Sequence, residues 1–344
     1  MKKISLCVLS YNRPDTLRQV IASYLKQDYK NKELVISDDT KDDSIEKLVK
    51  SYKQKTIKYF HNEKGLGFAR NLLKVMERAT GDYLVILGDD DLLVDKRVLS
   101  DYVKVFDHHP TVGFVYSNQV QFSNDMDVQY VINFFSKNKQ FKKGKEAMQN
   151  MWVKSIFIGG IGIRNSKDLS NWYPKKNILH PQVEFIGHII NQSDAYLIAK
   201  NHIGVRSHEE QLIFTALKDK KVKAEGEHMT VELHEMFGKL KKEYNLPMTF
   251  DFAARELIAQ QMIMMFKEKS FLGNREMEKN YRKFCSLSPV AKNSPKFTIA
   301  FWIAKLLPGN IIMQARSLAI NLLVAKNKKT YVKFQRQLQT MTTD

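Results

Sequence analysis

The first hundred residues alternate short apolar runs with amphipathic stretches, and this alternation limits the possible folds more than any other feature. Ile4 to Leu9 is an apolar run that ends at a turn signal. Pro14 then suits the first turn of a helix, where a missing N–H leaves nothing unpaired. Leu17, Val20, Ile21, Tyr24 and Leu25 recur at helical spacing. Glu33 to Ile36 reads as a second strand, and Ile45, Leu48, Val49 and Tyr52 mark a second helix. Thr56 to Phe60 is a third strand, followed by a helix over Leu66 to Ala79 that Gly81 would close. Tyr83 to Leu87 is a fourth strand, running into Gly88, Asp89, Asp90 and Asp91. Such a pattern predicts parallel β-α-β units and a doubly wound sheet.

Downstream the pattern is mixed. Val112 to Tyr116 and Ala195 to Ile198 read as strands, Lys137 to Lys145 as a lysine-rich loop, and Leu179 to Ile190 as a helix. Ile156 to Ile163 carries three glycines and suits a strand or bulged turn. The expected division is a domain over 1–225, its halves meeting near residue 100, and a helical region over 226–344. Asp251 would cap a helix in that region. Thr298 to Leu307 and Met313 to Ala325 are apolar stretches flanked by lysine and arginine. They suit either interfacial helices on an anionic leaflet or core helices of a C-terminal subdomain.

Composition narrows the partners. At 43% hydrophobic residues the chain can bury a sizeable core. The formal net charge of +18 attracts polyanions: nucleic acid, anionic lipid or phosphorylated substrates. Aromatic residues are not interleaved with the basic ones in a recognisable nucleic-acid module, so no nucleic-acid partner is expected. Two cysteines, Cys7 and Cys285, argue against a disulfide framework and suit a reducing compartment. The opening apolar run is too short for a secretory leader, and no run approaches the roughly twenty residues that span a bilayer.

In doubly wound sheets ligands bind beyond the carboxyl ends of the strands. The clusters there are Ser10 to Arg13, Asp38 to Asp43, His61 to Arg70, and Asp89 to Asp91. Three adjacent carboxylates at a strand terminus repel one another unless a cation is present. Carboxylate oxygens are hard ligands for Mg²⁺ or Mn²⁺, ions held by one or two carboxylates plus substrate phosphates. No Gly-x-Gly-x-x-Gly follows the first strand and no P-loop occurs, which argues against a dinucleotide site and a P-loop NTPase.

Five segments in order resemble family 2 glycosyltransferases: Val8 to Arg13; Glu33 to Asp39; Asn62, Gly65, Ala69, Arg70 and Asn71; Gly81 to Leu84; and Asp89 to Asp91, which match the family's Asp-x-Asp motif. The resemblance covers roughly the first hundred residues. It implies a GT-A fold, a Rossmann-like doubly wound mixed α/β sheet, here with a C-terminal helical extension. It also implies an inverting transferase using a nucleotide sugar, a UDP-sugar by expectation, with Mn²⁺ or Mg²⁺. Carried over by position, Ser10, Tyr11, Asn12 and Asp39 would hold the nucleotide, Asp39 through uracil. Arg70 would sit near base or diphosphate and Asp89 near the ribose. Asp90 would be the principal metal ligand, with Asp91 supporting. Two positions depart from the pattern: Gly88, where the family often has an acid, and Thr40-Lys41, where it has Gly-Ser.

The family's base lies at a helix start in the second half of the domain. Glu184, 94 residues beyond Asp90, takes that place, with Asp194 as competitor. Arg206 and His208 resemble an Arg-x-His element, Arg206 toward phosphate and His208 toward the metal or diphosphate. The implied acceptor is a lipid-linked saccharide of capsule, cell-wall polymer or lipopolysaccharide assembly, or a polyprenyl phosphate. The implied location is the cytoplasmic face of a membrane. A non-catalytic scaffold would gain nothing from three repelling charges.

Overall fold

The computed structural model describes residues 1–175, 178–207, 229–308 and 325–343, with 311, 314 and 318; the side chains of 267 and 270–272 are excepted. The strands are β1 (Ile4–Ser10), β2 (Lys32–Asp38), β3 (Ile57–His61), β4 (Tyr83–Gly88), β5 (Leu92–Leu93), β6 (Val112–Phe122), β7 (Val128–Ile132), β8 (Lys139–Phe141), β9 (Ile161–Arg164) and β10 (Asp194–Arg206). The helices through the first part are α1 (Pro14–Leu25), α2 (Ser44–Ser51), α3 (Phe68–Arg78), α4 (Val98–His108), α5 (Lys145–Met151), α6 (Leu169–Trp172) and α7 (Pro181–Gln192). The C-terminal ones are α8 (Met229–Tyr244), α9 (Asp251–Leu272), α10 (Asn274–Leu287), α11 (Pro289–Lys292), α12 (Pro295–Leu306) and α13 (Lys328–Thr342).

The strands form one mixed sheet in the order β3-β2-β1-β4-β9-β6-β10-β5, with β7 beside β6 and β8 beside β10. β1 to β4 pair in parallel, while β9 runs antiparallel between β4 and β6. Strands of a sheet covered on both faces read as continuous apolar runs, and every residue of β1 is buried. On one face α1, α2 and α4 pack through Leu17, Ile45 and Tyr102. On the other, α3, α5 and α7 pack through Leu72, Met148 and Phe185. The strand-and-helix alternation of the first hundred residues is thus borne out by the doubly wound, mixed α/β architecture.

Several local expectations change. Gly81 does not cap α3, which ends at Ala79 in extended backbone. Gly81 is small because a Cβ there would lie 2.6 Å from Ser5 Oγ. Asp251 is the first residue of α9 and does not cap it; the N-cap position is Phe250. The segment from 156 to 163 splits into a turn and β9, with Gly160 at φ +85°. β8 lies inside the lysine-rich loop. The expected boundary near 225 falls among residues outside those described. The helices beyond it are not separate from the sheet: Leu233, Ala253, Met277 and Phe297 belong to the same core as Cys7, Leu84 and Phe185. Among the described residues no helix is long and apolar enough to cross a membrane.

Candidate active site

Parallel pairing brings the strand ends into one row. Ser10 lies level with Asp38, Asp38 with His61, and Leu9 with Gly88. The clusters after β1, β2, β3 and β4 therefore meet at one edge of the sheet.

On the β2 side Tyr11 is 53% exposed, free to present its ring to a planar base. Asn12 follows with φ +55°, a left-handed conformation that Asn tolerates, and its N–H donates to Thr40 Oγ1 at 2.8 Å. Thr40, where the family's pattern differs, thus holds the turn after β1. Asp39 accepts from Asn62 Nδ2 and from the Gly67 N–H, both at 2.8 Å, so its carboxylate already shapes the 62–67 loop. Asp38 accepts from the Tyr59 hydroxyl at 2.8 Å and the Thr40 N–H at 2.9 Å. Arg78 closes this corner, donating to Ser37 Oγ at 2.7 Å and Asn62 Oδ1 at 2.9 Å, while its guanidinium stacks over Phe60. Ser10 Oγ is buried and has no partner among the described residues. Arg70 is exposed early in α3 and lines a groove of about 500 Å³ with Leu66, Tyr173 and Lys175; no described contact joins it to the acidic cluster.

That cluster is held from three directions. Asp89 Oδ2 accepts the Tyr11 N–H at 2.9 Å. Arg13 places one guanidinium nitrogen 2.6 Å from Asp90 Oδ2 and 3.3 Å from Asp89 Oδ1. The end of β10 lies over the turn because Gly204 pairs with Leu92. There the Arg206 N–H donates to Asp91 Oδ1 at 3.2 Å and its Nε to the Asp90 carbonyl at 3.0 Å; the guanidinium also bonds Gln19. Gly88 is small for a stated reason: a Cβ there would stand 2.7 Å from Asp90 Oδ1 and 3.1 Å from Asp91 Oδ2. Gly159 faces the same carboxylate, its Cβ position 2.7 Å from Asp91 Oδ2. Burial, and next the charge of Asp90, push the Asp89 carboxyl up to about 7, against the pull of Arg13. The same two causes raise Asp91 well above the ordinary carboxylate range. In low dielectric a neighbouring negative charge raises a carboxyl's affinity for its proton.

Glu184 stands in the first turn of α7. Its Oε1 accepts from Lys239 Nζ of α8 at 3.3 Å, and its buried Oε2 has no partner among the described residues. Beside it Gln182 Nε2 donates to the Ile156 carbonyl at 2.6 Å, tying the start of α7 to the loop that carries Gly159. Asp194 is elsewhere. It pairs level with Val112 at the start of β10, whereas Arg206, which bonds Asp91, pairs level with Phe122 at that strand's other end. It is bonded there by Thr111, Gln140, Lys142 and the Lys143 N–H. The structure does not bring Asp194 to the acidic cluster. His208 lies outside the described residues.

Residues 5–172 match the family model described as Glycosyl transferase family 2. The chain carries a family 2 glycosyltransferase domain. It is 32% identical over 120 residues to the UDP-Glc:alpha-D-GlcNAc-diphosphoundecaprenol beta-1,3-glucosyltransferase WfaP of Escherichia coli, covering 34% of this chain and 46% of that protein. The chain spans under half the length of the curated relatives it matches. Among solved structures it resembles S. aureus TarS 1-349 in complex with UDP-GlcNAc, with a TM-score of 0.55, 17% identity, and 98% of this chain and 92% of that one covered. It also resembles the mannosyltransferase PcManGT from Pyrobaculum calidifontis in complex with GDP-Man and Mn²⁺, with a TM-score of 0.51, 16% identity, and 99% and 86% covered. At such identities these likenesses speak for the fold, which is GT-A.

Does the transferase domain offer a place for a divalent cation? No group of three or more metal-ligating side chains converges among the described residues. A Mg²⁺- or Mn²⁺-type site shared with substrate phosphates needs only one or two carboxylates. Asp89 Oδ1 and Asp90 Oδ2 converge on one cationic nitrogen of Arg13, so the donor set fits such an ion. Asp91, in contrast, gives one oxygen to the Arg206 N–H and is buried behind Gly88 and Gly159. Arg13, Arg78 and Gly159 carry roles that sequence reasoning missed. Arg13 stood in the cluster after the first strand, but nothing local shows that its partners are 76 and 77 residues away.

Proposed function

We propose that the protein is an inverting glycosyltransferase that moves a sugar from a UDP-sugar to a lipid-linked saccharide at the cytoplasmic face of a membrane. The observation that carries this is the acidic cluster at the carboxyl ends of β1 and β4, where carboxylates of Asp89 and Asp90 meet at one cationic position. Tyr11 and the loop shaped by Asp39, Asn62 and Arg78 offer the base its surface. A divalent ion held by Asp90 with Asp89 or Asp91 would neutralise the charge that gathers on the leaving diphosphate. Arg206 and Arg13 bring further positive charge to the same edge.

Transfer in one displacement forms a bond from an acceptor hydroxyl oxygen to the anomeric carbon as the bond to the diphosphate breaks. Glu184 takes the hydroxyl proton; its unpaired Oε2 and the position of α7 beside the Gly159 loop support that role. The names of WfaP, an undecaprenol-linked glucosyltransferase, and of TarS with UDP-GlcNAc support the classes of acceptor and donor. The test is a screen of nucleotide sugars with Mn²⁺, with and without chelator, reading nucleoside diphosphate release. UDP release that chelator abolishes is expected; silence with every UDP-sugar would sink the reading.

A further inference from the structure

Helix α12 has two apolar faces, and among the described residues only one of them is covered. Phe297, Ala300, Phe301 and Ala304 recur at helical spacing and are buried in the core. Ile299, Trp302, Ile303 and Leu306 recur at the same spacing on the other side, exposed to 59%, 51%, 43% and 75%. A surface helix ordinarily turns polar residues outward, and contiguous exposed apolar side chains mark a contact surface. Lys292 and Lys296 are exposed at the start of this stretch, while Lys305 lies beside the Trp302 ring at 5.3 Å and pairs with Glu278 at 2.8 Å.

We infer that the outer face of α12 docks on an anionic lipid surface, with Ile299, Trp302, Ile303 and Leu306 entering the headgroup–acyl boundary and Lys292 and Lys296 meeting lipid phosphate. The inference rests on the reading of a membrane-side acceptor only for its biological sense; the face itself is read from burial and charge. Charge selects the occupant. A chain of net charge +18 is attracted to an anionic leaflet and repelled by its own copy, whose lysines would oppose these across a two-fold axis. Area argues the same way, because four side chains offer a few hundred Å² against the roughly 800 Å² per partner of a stable pairing. Tryptophan prefers the interfacial depth, where its ring is buried and its N–H stays wet, and an apolar helix face flanked by lysines lies in the interface plane.

The experiment floats the full chain with phosphatidylglycerol vesicles and with phosphatidylcholine vesicles. Wild type should float with the first, with a blue shift of tryptophan emission, and much less with the second. Combined Ile299→Ser, Trp302→Ser and Leu306→Ser, at positions already facing solvent, should lower the partition coefficient by about tenfold or more and leave the unfolding midpoint in place. Lys292→Ala with Lys296→Ala should reduce the preference for phosphatidylglycerol. Donor turnover in solution, measured on all three proteins, should be equal, and it reports the transferase reading separately from flotation. Undiminished flotation of the serine variant overturns the inference, as does wild type that self-associates through this face and binds neither vesicle.

Discussion

At the residue scale the acidic cluster is held by Arg13. One guanidinium nitrogen serves two carboxylates in the place where a divalent ion would neutralise them. Asp90→Asn should therefore lower UDP release by at least about a hundredfold with an unchanged circular dichroism spectrum; near-normal turnover would remove Asp90 from the metal assignment. Asp89 makes stability depend on pH. Its folded value of about 7, raised by burial first and Asp90 second, exceeds the unfolded value of about 3.9. Between those values the folded chain binds a proton that the unfolded chain releases. The group favours folding below about pH 4, and that advantage is lost as pH rises through 7. In chelator, wild type should lose on the order of 1–3 kcal/mol from pH 5 to pH 8 relative to Asp89→Asn, measured by urea unfolding. Parallel pH profiles would show that Asp89 is ionised throughout. At this scale the places of Tyr11 and the Asp triplet were legible, because each follows an apolar run after a single intervening residue. The partner of each carboxylate was not, because Arg13 and Arg206 reach it only through strand pairing.

At the element scale the turn before β9 decides the geometry. Gly160 takes φ +85°, and a Cβ there would run into the Ile203 side chain on β10. Its N–H bonds the Ile86 carbonyl at 2.8 Å, so the turn fastens β9 to β4 and presents Gly159 to Asp91. Gly160→Ala should cost about 1–3 kcal/mol in denaturant unfolding, from positive φ together with steric displacement. An unchanged midpoint would show that the turn relaxes freely. The four leading strands could be read from apolar runs alone, within a residue or two at each end. β6 and β10 extend well past their apolar cores, to Phe122 and Arg206. Their second halves are strands because they pair with each other and with β7 and β5, which no local window records.

At the scale of the whole molecule, the C-terminal helices finish the core of the transferase domain. Trp152, fully buried, donates its indole N–H to the Val183 carbonyl at 3.0 Å and packs its ring against Phe237 of α8 and Phe252 of α9. Trp152→Ala should destabilise the protein by about 3–5 kcal/mol, read as a lower urea midpoint. A chain ending at residue 225 would leave Trp152 without those partners. It should lack the near-ultraviolet dichroism of a packed core, and a native-like spectrum from it would show that the sheet folds without α8 and α9.

Periods and punctuation in the sequence determined the doubly wound half and the chemical character of its strand ends. Apolar spacing is local, and a strand covered on both faces reads the same wherever it lies in a sheet. The tertiary structure alone decided which strand ends meet, that Asp194 stands at the far end of its strand, and that the outer face of α12 is left uncovered among the described residues. Those outcomes depend on contacts between residues far apart in the chain, and apolar side chains that will be buried cannot be told from those that will face outward until the whole core is assembled.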